Sequence, residues 1–127
     1  MDGVGKDFGV YPPEWPAIAY AIKEAAGWRC ERCGHPDNLG YLPRGYQPCG
    51  AYCSHARDGK KRILTTHHLD RNKSNVREWN LAALCQVCHL QIQVKVDFFK
   101  DYALPHSEWM KRHVAGRDAA RARGEWP

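Results

Sequence analysis

The chain has 127 residues, 43% of them hydrophobic and 26% charged, which suits one domain around one modest core. It has no apolar run near the ~18 residues that span a bilayer, and its opening, MDGVGKDFGV, has no stretch resembling a signal peptide, so a cytoplasmic location with reduced thiols is expected. Lys and Arg number 19 against 14 Asp and Glu, a net charge of +5, and bound metals would leave the protein basic, which favours a polyanionic partner.

Residues 1–12 are Gly-rich and expected to be loose. Pro12, Pro13 and Pro16 lead into the run AIAYAIKEAA, where Trp15, Ile18, Ile22 and Ala26 recur at helical spacing and Gly27 suits the residue just past a helix end. The pattern predicts a helix over 14–26 that delivers Trp28 and Cys30. Residues 34–60 contain five glycines and three prolines and predict a long loop with room for a short hairpin, ending on the basic tip 57–62. The run ILTTHHL at 63–69 predicts a strand. Residues 70–77 are turn-forming, and 80–85 predict a short returning strand. Residues 87–99 predict a helix, although their β-branched members lower the local propensity and leave packing to support it. Pro105 interrupts, and Ser107 is placed to cap a final helix through Arg123. The expectation is a single small α+β domain over 1–127, with a core at 28–100 and a helix on either flank.

The cysteines sharpen this outline. Cys30-Glu-Arg-Cys33 and Cys85-Gln-Val-Cys88 are two C-x-x-C knuckles. Each can present two thiolates to one tetrahedral zinc ion, and together they complete its shell. The spacing favours a structural zinc over disulfides. Cys49 and Cys53 stand apart with His55, and free thiols in an insertion are the default for them. A second zinc that also uses His35 is another reading. A third pairs Cys49 and Cys53 with the first knuckle, which would leave Cys85 and Cys88 unanchored.

His67-His68-Leu-Asp70, followed by Asn80-Leu-Ala-Ala-Leu-Cys85-Gln-Val-Cys88-His89, carries the chemistry. A strand, a loop, a returning strand and a helix can bring its two ends together. Zinc would fix the start of that helix and so the position of His89. Together with Cys30 and Cys33, the stretch resembles the His-Asn-His (HNH) endonucleases, whose shared core is the ββα-metal motif. The resemblance covers about a third of the chain. It implies that His67 and His89 bind a catalytic divalent metal (Mg²⁺, Mn²⁺ or Ni²⁺) and that His68 is the general base. It further implies that Asn80 holds the loop in shape, that DNA is the substrate, and that the products carry 5′-phosphate and 3′-hydroxyl ends. The residue types fit: a neutral imidazole can take a proton from water near pH 7, and a divalent cation offsets charge on an anionic phosphodiester.

Adjacent residues on a strand point to opposite faces, so His67 and His68 can share a site only where the strand ends or twists. Asp70 has two readings: holding a metal-bound water or a histidine, or bonding its own turn backbone. Asn72 and Asn75 read as loop formers. Trp15, Trp28, Trp79, Trp109 and Trp126 suit a small core better than base stacking. Lys111, Arg112, Arg117, Arg121 and Arg123 on the last helix can face phosphates, or form a solvated face mixed with Glu108, Asp118 and Glu125. Two other functions compete with a nuclease: a non-catalytic, zinc-braced nucleic-acid-binding module, and an accessory protein of a larger DNA-processing or packaging assembly.

Overall fold

The structure, a computed structural model, describes residues 7–39 and 61–127. Helix α1 spans Trp15–Ala25, one residue inside each predicted bound. Pro16 sits in its first turn, where a missing N–H costs nothing. Gly27 ends the helix at φ +67°, a left-handed conformation that glycine adopts without strain. Trp28 follows at φ 58°, its N–H donating to the Lys23 carbonyl at 3.0 Å.

Strands β1 (Leu64–His68) and β2 (Leu81–Cys85) form an antiparallel pair, with Leu64 opposite Cys85 and His68 opposite Leu81. Every residue of β2 is buried. That explains why Leu-Ala-Ala-Leu-Cys reads as a continuous apolar run rather than an alternation. Helix α1 and the helix that follows β2 both pack on these strands.

Helix α2, Gln86–Ile92, starts where β2 ends, and it is shorter than the helix predicted over 87–99. The chain leaves the helix because Asp97 and Phe98 are required elsewhere. Asp97 is fully buried and accepts a 2.8 Å salt bridge from Arg71. It also bridges to Tyr102 and caps the 3-10 turn Phe98–Lys100 through the Phe99 N–H. The Phe98 N–H donates to the Leu69 carbonyl at 3.0 Å. With Val94 and Val96 weakening helical propensity, these contacts prevail.

A 3-10 turn, Glu108–Met110, leads into helix α3, Lys111–Ala122. Ser107 precedes that turn, but its side chain makes no capping hydrogen bond, contrary to the prediction. Helix α3 packs on the 3-10 turn Glu78–Asn80 so closely that a Cβ on Gly116 would lie 2.2 Å from Trp79 Cβ. Trp126 is buried, stacks on Phe99 with centroids 5.3 Å apart, and meets Trp79 edge-on. The architecture is thus a small α+β unit with a two-stranded antiparallel sheet and, among the described residues, three α-helices. No helix among them is long and apolar enough to cross a membrane.

Glu31, inside the first knuckle, links these layers. Its N–H donates to the Ala83 carbonyl at 2.8 Å, and its carboxylate accepts from the Ala83 N–H at 2.6 Å. The same carboxylate accepts from His113 Nε2 at 2.9 Å and from Arg112 at 2.8 Å. Burial pushes the Glu31 carboxyl up. The hydrogen bond and charge of His113, with Arg112 and the Ala83 N–H, outweigh that and hold it below the ordinary carboxylate value.

Candidate functional site

Both knuckles arrive at one point. Cys30, Cys33, Cys85 and Cys88 are buried, and their sulfur atoms all lie within 4.8 Å of one another. Cys33 Sγ and Cys85 Sγ are 3.9 Å apart, close to the ~3.8 Å edge of a tetrahedron with bonds of ~2.3 Å to zinc. The Cys33 N–H donates to Cys30 Sγ at 3.5 Å, and the Cys88 N–H to Cys85 Sγ at 3.4 Å. Arg32 donates to Cys88 Sγ at 3.5 Å. These donors suit sulfur carrying negative charge. Hydrogen bonding from Cys33 brings the Cys30 thiol down to about 7, and Cys30 and Cys33 likewise lower Cys85. Hydrogen bonding to Cys30 pushes Cys33 and Cys88 up instead. Four crowded sulfurs cannot all ionise unaided, whereas a cation at their centre stabilises all four thiolates. The cluster therefore fits a tetrahedral metal ion such as zinc. Cys49, Cys53 and His55 lie outside the described residues. His35 is buried and directs Nε2 to the Leu39 carbonyl at 2.8 Å.

The cysteine cluster sets the start of α2 and with it His89. The rings of His67 and His89 meet with centroids 4.4 Å apart and planes at 47°. Thr65, two residues before His67 and on the same strand face, approaches His89 Nδ1 through its hydroxyl at 3.3 Å. His68 is on the other face. It stacks on Trp15 of α1 at 4.8 Å and meets Tyr11 at 5.8 Å. So β1 brings His67 to His89 and turns His68 towards α1, the alternation expected of a regular strand. His68 is also the last residue of β1, and the chain bends away directly after it.

Burial, together with the nearby His89 and His68, holds His67 down to about 3. Burial also lowers His89, against the pull of Asp7. It lowers His68 too, although Asp70, Asp7 and the Lys73 backbone favour its charged form. All three rings are thus neutral at pH 7, the form that binds a metal or takes a proton. His68 Nε2 is buried with no hydrogen-bond partner among the described residues. The N-terminal segment helps place Tyr11 against this ring. Phe8 exchanges backbone hydrogen bonds of 2.9 and 2.8 Å with Arg71 and Lys73. Gly9, at φ +78°, approaches Asn72 so closely that a Cβ would lie 2.2 Å from Asn72 Oδ1.

Asn80 is fully buried and holds the loop between the strands. Its Oδ1 accepts from the Asp70 N–H at 2.9 Å. Its Nδ2 donates to Asp70 Oδ1 at 2.8 Å and to the Asn75 carbonyl at 2.9 Å. Asp70 also accepts from the Asn72 N–H, from Asn75 Nδ2 at 2.7 Å and from Trp126 Nε1 at 3.1 Å. Four donors match the roughly four lone-pair sites of a carboxylate, which makes Asp70 a turn residue and hub, with no free position for a metal-bound water.

Thr65, Tyr11, Glu31 and the Asp70–Trp126 bond were not singled out by the sequence patterns. Thr65 alone carried a signal, its period-2 offset from His67. The basic residues of α3, and Arg123 just past its end, are engaged within the chain. Lys111 pairs with Glu108, Arg112 with Glu31, and Arg123 with Glu125. Arg117 and Arg121 share Asp101 and lie over the rings of Phe98 and Trp126. Comparison of the chain with protein-family models, with curated proteins and with solved structures finds no match.

Proposed function

We propose that this protein is a metal-dependent DNA endonuclease of the His-Asn-His type, with a ββα-metal core braced by a structural zinc. The observation that carries the reading is the meeting of His67 and His89, 4.4 Å apart at the ring centroids, beside a four-cysteine cluster that locks the start of α2. Two neutral imidazoles on rigid elements are a suitable start for a divalent-metal site.

In this reading His67 and His89 would hold the catalytic ion, and Asn80 keeps the 69–80 loop in shape through Asp70 and Asn75. A bound divalent ion supplies positive charge to the phosphate and to the departing 3′ oxygen. His68 Nε2 takes a proton from the attacking water as its oxygen bonds to phosphorus. The P–O3′ bond breaks, leaving a 5′-phosphate, and the departing 3′ oxygen takes a proton from solvent water to become a 3′-hydroxyl. The rings of Trp15 and Tyr11 fix the plane of His68. The net charge of +5 favours the polyanionic substrate.

The covered Nε2 of His68 is also what a zinc-braced nucleic-acid-binding module without catalysis would display. Supercoiled plasmid incubated with Mg²⁺, Mn²⁺ or Ni²⁺, with excess chelator as the blank, separates the two. Metal-dependent nicking or linearisation is expected. Plasmid binding with no cleavage under any of the three ions would favour the module.

A further inference from the structure

Thr65 has one hydroxyl proton and two partners. Its Oγ1 lies 2.8 Å from the Leu84 carbonyl oxygen and 3.3 Å from His89 Nδ1. A carbonyl oxygen can only accept, so the Thr65 proton goes to Leu84. None remains for His89, and the contact at Nδ1 forms only if the ring donates to Oγ1. His89 must then carry its proton on Nδ1, which leaves the Nε2 lone pair free.

We propose that Thr65 is a positioning residue for His89, selecting the Nδ1–H tautomer and fixing the ring plane so that Nε2 is the atom offered to a divalent cation. This rests on the metal-binding reading of His67 and His89. It adds a chain of support from the sheet: the Leu84 carbonyl orients the Thr65 hydroxyl, and the hydroxyl orients the imidazole. Metal-binding histidines commonly need such a partner on the other ring nitrogen. Thr65 stands on the strand face it shares with His67, so one strand supplies both a ligand and the support of the second ligand. Valine at position 65 would keep the β-branched shape of the strand residue while removing both hydroxyl bonds, whereas serine would keep them.

The test uses the zinc-loaded full chain with the histidine pair free of added metal. Nitrogen-15 NMR of the His89 ring should show the Nδ1–H tautomer in the parent and in Thr65→Ser, and a shift towards Nε2–H in Thr65→Val. Calorimetric titration with Ni²⁺ alone should show Thr65→Val binding roughly 10- to 100-fold more weakly, with Thr65→Ser close to the parent and the zinc content unchanged in all three. An Nε2–H tautomer in the parent would overturn the proposal. So would a Thr65→Val protein with unchanged tautomer and unchanged Ni²⁺ affinity. Plasmid cleavage is scored separately: a parent that shows these tautomer and affinity effects yet cuts no DNA upholds the role of Thr65 and removes the nuclease reading.

Discussion

Asn80 shows how much one buried amide can hold. It receives the Asp70 N–H and donates to both Asp70 and the Asn75 carbonyl. Removing it strands buried groups that water cannot reach, each at ~1–3 kcal/mol. Asn80→Ala is expected to lower stability by about 2–4 kcal/mol and to loosen the 69–80 loop, measured by denaturant unfolding and amide exchange. A loss under about 0.5 kcal/mol would deny Asn80 its organising role. The place of Asn80 at the head of the returning strand was legible in the sequence, from the apolar run that follows it. The turn reading of Asp70 agrees with its bond to the Asn72 N–H, but its bonds to Asn75, Asn80 and Trp126 were not legible, because those partners are set by the fold. The side to which His68 turns was also hidden, because it depends on where α1 packs.

At the scale of elements, periodicity carried most of the information. Helix α1 and both strands lie within one residue or so of their predicted bounds, because an apolar stripe and a β-branched run each have one good solution. The end of α2 was not legible, because it is set by Asp97 reaching Arg71 and by Phe98 reaching Leu69, contacts between segments far apart in sequence. The close packing of α3 on Trp79 gives a second prediction. Glycine-to-alanine changes inside helices usually stabilise by about 1 kcal/mol. At Gly116 the added Cβ would lie 2.2 Å from Trp79 Cβ, and overpacking of this kind costs ~1–3 kcal/mol. The clash should win. Gly116→Ala is expected to lower the thermal midpoint and to shift the Trp79 environment in fluorescence, and a raised midpoint would show that α3 does not seat against this turn.

At the scale of the whole molecule, the cysteine cluster joins segments far apart in the chain, Cys33 and Cys85 being 52 residues apart in sequence, around a small core. Metal binding at such a site contributes directly to folding. Stripping the ion with a strong chelator, or Cys85→Ser, is expected to abolish the cooperative thermal transition, with α2 lost first because Cys85 and Cys88 anchor its first turn. Elemental analysis should find one zinc per chain held by these four cysteines, and a metal-free chain with an unchanged midpoint would remove the bracing role. The central claim, that His68 moves a proton while His67 and His89 hold an ion, is tested most directly by plasmid cleavage across a divalent-metal titration with alanine at each histidine in turn, DNA binding being followed in parallel. His68→Ala should lose ~10²–10⁴-fold in rate at every metal concentration with zinc and DNA binding intact, whereas His67→Ala and His89→Ala should recover part of their activity as metal rises. Cleavage by His68→Ala at the parental rate, or metal rescue of that variant alone, would contradict the assignment.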